Sequence, residues 1–252
     1  MSRYLIISDL HSGQWAGLNP DRFVDTIPNA QLRLSIRAGH AWFWHELGQY
    51  KRFDGVFANG DIIDGSGKRG GGRNLFTTDC NEQASMAIEV LEKIPSKKFY
   101  FIRGTEYHTG VEADFEDQIA KHFNSSIQNI LDVESNGVKM NFRHHQGNSG
   151  VPYGAGTPTN KEAFWVNYLS EEDAKADLVV RSHVHRYYYG DDGEVAFLST
   201  PAVQGWSSYG EKRCLGKIHQ GFVVIETRDG DFTMKPHIRI LNKRRKSDYV
   251  KI

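Results

Sequence analysis

The chain has 252 residues, with 31 Lys and Arg against 31 Asp and Glu, for a formal net charge of +0. That length suits one large domain or two small ones and allows a sizeable core, while the charge balance supplies no overall field toward nucleic acid or an acidic membrane. No apolar run approaches the ~20 residues of a membrane span, and the two cysteines, Cys80 and Cys214, lie too far apart to suggest a disulfide framework or a zinc knuckle.

The N-terminus has no basic stretch leading into an apolar core and a cleavage site, so a cytoplasmic location is expected. Residues 3–8 read as a strand, whose apolar run Tyr4-Leu5-Ile6-Ile7 is followed at once by Asp9 and His11. Residues two apart on a strand share a face, so a carboxylate and an imidazole at this spacing can aim at one point, as a metal requires. A capped strand end is the plainer alternative. Residues 30–50 read as a helix through Leu32, Leu34, Ile36 and the cluster from Trp42 to Leu47. The segment 55–59, GVFAN, is a short buried strand that runs into Gly60 and Asp61.

Residues 81–94 carry helical periodicity through Ala84, Ala87, Ile88, Leu91 and Ile94. Residues 97–104 form a strand ending in glycine, and 112–123 a helix. Between 137 and 145, Val138, Met140 and Phe142 alternate as in a half-buried strand. Residues 163–170 read as helical, and 176–190 open with a strand. EVAFLST, GFVVIETR and FTMKPHIRIL supply further strands. The first half therefore alternates strand and helix, and the second half is richer in strands. That is α/β organisation with two packed sheets.

In α/β sheets, ligands collect at the carboxyl ends of strands. Five strand ends here carry groups of one kind: Asp9 and His11; Asp61 and Asp64; Thr105, Glu106 and His108; His144 and His145; His183 and His185. The ordered series Asp9-Leu10-His11, Gly60-Asp61-Ile62-Ile63-Asp64, Gly104-Thr105-Glu106-Tyr107-His108, His144 and Ser182-His183-Val184-His185 resembles the calcineurin-like metallophosphoesterases. The resemblance implies a four-layer α/β/β/α sandwich of two mixed sheets flanked by helices. It also implies two divalent cations, Mn or alternatively Fe or Zn, a mixed nitrogen and oxygen set that suits such metals. Carried over by motif, Asp9, His11, Asp61 and His185 hold one cation. Asp61 bridges, and His144 and His183 hold the other. The implied reaction is attack on phosphorus by a bridging hydroxide, with the phosphoryl oxygens clamped.

The third motif departs from the family. Thr105 stands where the family has a ligand asparagine, and Glu106 where it has a catalytic histidine. Either His108 moves in to assist the leaving group or the oxyanion, or the site is altered and Glu106 supplies a ligand or proton donor. Loops of this kind also resemble a phage-type branch of the family. Alternation puts His144, rather than His145, with the inward-facing residues, leaving His145 to line the site or simply to be exposed. Asp64 is a candidate acceptor for a ligand histidine, or else an ordinary helix-start carboxylate. Lys68, Arg69 and Arg73 of the glycine-rich loop are candidates for a phosphate, and otherwise form a solvated surface loop. Arg103 and Arg181 flank the motifs. Tyr187, Tyr188, Tyr189 and Trp206 are candidates for stacking on a base, and otherwise fill the sheet; Lys243–Lys246 are candidates for backbone contacts, and otherwise form a solvated end.

Residues 1–242 are expected to form one catalytic domain, with 243–252 a basic tail. The expected activity is a metal-dependent phosphoesterase, preferring a phosphodiester of a nucleotide or nucleic acid. The alternative is a scaffold that keeps the fold and has lost catalysis.

Overall fold

The structure is a computed structural model that describes residues 1–67, 71–109, 114–207 and 217–242. In chain order it contains β1 (Ser2–Ile7), α1 (Asp21–Val24), α2 (Ala30–Leu47), β2 (Gly55–Asn59), α3 (Cys80–Leu91), β3 (Phe99–Ile102) and α4 (Glu106–Thr109). Then follow α5 (Phe115–His122), β4 (Ile127–Gln128), β5 (Leu131–Ser135), β6 (Val138–Phe142), α6 (Thr157–Tyr168), β7 (Leu178–Arg181), β8 (Tyr188–Asp191), β9 (Ala196–Ser199), β10 (Lys217–Arg228) and β11 (Asp231–Asn242). Helix starts follow local chemistry. Asn29, Asp79 and Asp114 each cap a helix by accepting a backbone N–H, and Pro158 sits in the first turn of α6.

Two mixed sheets face each other. The first runs β11-β10-β1-β2-β3-β4, with β1 through β4 parallel and the β10–β11 hairpin antiparallel on one side. The second runs β5-β6-β7-β9-β8, with β6, β7 and β9 parallel. Strand alternation sorts the side chains into layers. Ile6, Phe57, Ile102, Met140, Phe142, Val180 and Leu198 meet between the sheets. Leu5, Ile7, Val56, Ala58, Phe99 and Phe101 turn the other way, onto α2, α3 and α5. On the far side, Val179 and Phe197 pack against Ala163 of α6. The result is the expected four-layer α/β/β/α sandwich.

The two sheets are also joined by polar contacts just beyond the strand ends. Ser8, Thr200, Ser182 and Asn59 form a buried chain of hydrogen bonds, with spacings of 2.7, 2.8 and 2.6 Å. It ties the ends of β1 and β2 to those of β7 and β9. No helix among the described residues is long and apolar enough to cross a membrane.

Across the seam, Phe57 of β2 stacks on Phe142 of β6, with centroids 4.3 Å apart and planes 17° from parallel. Both side chains are fully buried. Phe142→Ala should cost about 3–5 kcal/mol, as expected for deleting a buried aromatic ring, and urea unfolding followed by circular dichroism will measure it.

Candidate metal centre

The parallel strands β1, β2 and β3 of one sheet and β6 and β7 of the other all deliver their carboxyl ends to the same seam. Asp9 and His11 follow β1, Asp61 follows β2, Thr105 and His108 follow β3, His144 follows β6, and His183 and His185 follow β7. The convergence is not made by strand alternation, as the spacing of Asp9 and His11 suggested. β1 ends at Ile7, and both residues lie beyond it in left-handed backbone, with φ of 53° and 47°. Asp61, His183 and His185 are also left-handed, at 51°, 76° and 54°. Such conformations are uncommon outside glycine and concentrate where a site dictates the backbone.

Three groups of ligand atoms result, each within 4.8 Å: Asp9, His11 and His185; His11, Asp61 and His108; Asp61, His144 and His183. Asp9 and Asp61 are fully buried. His185 Nε2 lies 3.1 Å from Asp9 Oδ1, and His144 Nε2 lies 3.0 Å from Asp61 Oδ2. Yet Asp9 Oδ1, His144 Nε2, His11 Nε2 and His183 Nδ1 all lack a hydrogen-bond partner. Close approach without hydrogen-bond geometry, by buried groups that seldom go unpaired, fits donors arranged around cations.

The tautomers agree. His144 Nδ1 donates to the Asn59 carbonyl at 2.6 Å, which leaves Nε2 with a lone pair in the neutral ring. His11 Nδ1 is 3.1 Å from Asp64 Oδ1 and leaves Nε2 free in the same way. An acceptor behind the ring is the usual way proteins orient a metal-ligating histidine. Asp61 Oδ1 accepts both the backbone N–H of Thr105, at 2.6 Å, and its hydroxyl, at 3.0 Å. Thr105 thus holds one oxygen of Asp61 and leaves Oδ2 turned toward the imidazoles.

No protein-family model matches this chain, and no significant match exists among curated proteins. Solved structures do match. A single mutant of Vps29 from Entamoeba histolytica superposes with a TM-score of 0.50 at 13% identity, covering 96% of this chain and 99% of that one. The fold is that of the calcineurin-like metallophosphoesterases. Weaker matches include an archaeal phosphodiesterase, with TM-score 0.46, 13% identity and coverage of 93% and 99%. A predicted phosphoesterase from Streptococcus pneumoniae gives 0.42 and 13%, with coverage of 96% and 98%. At 13% identity, the likeness to Vps29 speaks for the fold alone.

Within that fold, the electrostatics centre on the two aspartates. Burial alone would raise both, but neighbouring imidazoles, chiefly His185 for Asp9 and His144 for Asp61, hold each below the usual carboxylate range. Burial would lower His144, yet the charges of Asp61 and Asp9 push it up to about 10. Burial also works against a charged His11, and Asp64 raises it regardless. His108 goes the other way, lowered mainly by burial. His145 is exposed beside His183, its ring centroid 4.9 Å away, and is lowered by burial and then by the neighbouring imidazoles.

Other sequence candidates sit elsewhere. Glu106 is exposed at the start of α4 and belongs to none of the three groups. Arg73 is exposed in a turn, and Arg69, Lys68 and the 243–252 tail lie outside the described residues. Arg103 is engaged with Asp114, and Arg181 is fully buried against Glu162. Tyr188 and Tyr189 are both partly exposed on β8, and Tyr188 stacks on Phe197.

Sequence reading missed three supports. Glu116 of α5 is fully buried and accepts from Ile62 N at 2.7 Å and Gly104 N at 2.8 Å. It thereby clamps the loops after β2 and β3 together. Burial, then the Asp61 charge, raises it to about 7. Gln83 of α3 accepts from Asp64 N and Gly65 N. Glu162 of α6 binds both Arg143 and Arg181 at 2.6 Å, fixing the approaches to His144 and His183. The signal was present: Glu116 shares one helical face with Ile119 and Ala120, where a lone carboxylate is unexpected. Gly104 closes the frame. A Cβ there would lie 2.3 Å from Asp61 N, so no larger residue fits.

Two outcomes follow from this frame. Glu116→Ala strands two backbone N–H groups at about 1–3 kcal/mol each, so the melting temperature should fall sharply, and Glu116→Gln should recover part of the loss. In the metal-free protein, His144 stays protonated up to about 10, so a cation must displace that proton. Affinity for Mn²⁺ should therefore rise with pH, by roughly tenfold per unit for one displaced proton. Calorimetric titrations in buffers of different ionisation enthalpy should register the proton released.

Proposed function

We propose that this protein is a metal-dependent hydrolase of phosphate esters, acting by preference on phosphodiesters of the nucleotide or nucleic-acid type. The observation that carries this reading is the convergence, from two different sheets, of unpartnered imidazole nitrogens on Asp9 and Asp61. Their chemistry, neutral nitrogen and carboxylate oxygen, fits divalent cations such as Mn, Fe or Zn. Asp9, His11, Asp61 and His185 would hold one, and Asp61, His144 and His183 the other. When bound, such a pair supplies Lewis acidity for activating water and neutralising charge on phosphorus.

The chain's own residues do the positioning. Asp61 offers Oδ2 to both groups because Thr105 holds Oδ1. Asp64 and the Asn59 carbonyl fix the ring orientations of His11 and His144. His145, exposed beside His183, is placed to line the substrate side. The preference for a diester rests on charge. Three of the arginines that flank the motifs, Arg103, Arg143 and Arg181, are engaged with carboxylates. A monoester dianion would find none of them free, and a monoanionic diester asks less of the site. The aromatic residues on and near β8 offer stacking surface for a base.

The test is hydrolysis of bis-p-nitrophenyl phosphate and p-nitrophenyl phosphate by protein stripped of metal and then given Mn²⁺. Cleavage should depend on Mn²⁺, favour the diester, and fall by roughly a hundredfold or more in Asp61→Asn, given the several kcal/mol that such centres supply. A folded protein inactive with every divalent cation would instead be a docking scaffold on this fold. Preference for the monoester would reverse the substrate assignment.

A further inference from the structure

The third strand-end loop departs from the family pattern, and the geometry shows what replaces it. Thr105, at the ligand asparagine's place, points its hydroxyl at Asp61 Oδ1. Glu106, at the catalytic histidine's place, is exposed. His108, on α4, is the residue of this loop that reaches the centre. Its Nδ1 lies 2.7 Å from the backbone carbonyl of Asp64. A carbonyl only accepts, so Nδ1 carries the proton and Nε2 holds the lone pair of the neutral ring. That Nε2 lies 4.0 Å from Asp61 Oδ2 and groups with His11 and Asp61 inside 4.8 Å. The His11 and His108 rings meet edge to face, with centroids 4.6 Å apart.

His144 and His11 are built the same way. In all three, the nitrogen remote from the carboxylates is tied to an oxygen acceptor, and the other faces Asp9 or Asp61. Resting on the metal-centre reading above, we infer that His108 is a cation ligand on the His11 side of the site, not a proton donor to the leaving group. The third motif then supplies its ligand from one helical turn further along the chain, on α4 rather than on the loop. A nitrogen committed to a cation has no proton to hand on. Esters with poor leaving groups should therefore be cleaved much more slowly than aryl esters.

His108→Asn separates the two roles. An asparagine amide can still donate to the Asp64 carbonyl, while nothing remains at the Nε2 position. Metal-free wild type and variant are titrated with Co²⁺, reading the visible d–d absorption, and bound metal is counted by mass spectrometry after gel filtration. Circular dichroism checks folding, and His108→Ala, which also leaves nothing at the Nε2 position, stands in if the asparagine variant does not fold. The expected result is one cation bound at least tenfold more weakly in His108→Asn, with a changed spectrum and the second cation retained. Equal stoichiometry, affinity and spectrum in a folded variant would overturn the inference and leave the metal centre standing. Wild type that binds no divalent cation would overturn the proposed function itself.

Discussion

Asp9 and Asp61 are closed off from water at the same end of the sandwich, and the charge of Asp61 raises the affinity of Asp9 for a proton. Burying one carboxylate is costly, and burying two side by side requires compensating positive charge. The surrounding residues meet that demand. Imidazoles approach from two strand ends of each sheet, and the most enclosed of them, His144, holds its proton far above the ordinary histidine range. A divalent cation would do the same job with a larger charge and with directional bonds. Tautomers, loop conformations and the dense packing behind the loops all follow from this local excess of negative charge.

The frame that maintains it is built from side chains that never face the site. Glu116 joins the loops after β2 and β3, Gln83 holds the continuation of the β2 loop, and Glu162 grips the two arginines that precede His144 and His183. Each sheet therefore has its own helix-borne carboxylate beneath the loops. Five left-handed aspartates and histidines store backbone strain above it. Dense hydrogen bonding below and strain above suit a centre whose geometry exists before any ligand arrives.

Much of this was legible from residue order. GVFAN matches β2 residue for residue, and the alternation of Val138, Met140 and Phe142 correctly turned His144 inward and His145 outward. Local periodicity reports which face is apolar, and this suffices for strands whose neighbours are all apolar. It did less well where capping decides. α6 begins at Thr157, six residues before its apolar pattern at 163, because Gly156 and Pro158 set its start. β8 carries half-exposed tyrosines and escaped notice, and β4, with two residues, has no pattern to detect. The site was readable as a list of strand ends because its groups are titratable and rare. Its supports were not, because a glutamate inside a helix resembles a surface glutamate until the neighbouring loops are known. The third motif was left open between His108 and Glu106, because matching by position cannot tell which of them turns inward; His108 reaches the centre and Glu106 is exposed.

The candidate ligands come from both halves of the chain. Asp9, His11, Asp61 and His108 belong to the first sheet, and His144, His183 and His185 to the second. Two of the three ligand groups draw on both sheets, so those two come into being only once the sheets have docked. A cation seated there is then a clasp across the seam, and its binding free energy is added to that of sheet association by mass action. With such a cation bound, the lifetime of the folded chain against proteases would be tied to trace-metal supply, and a chelator would act as a mild denaturant whose first effect is to open the sandwich at one end.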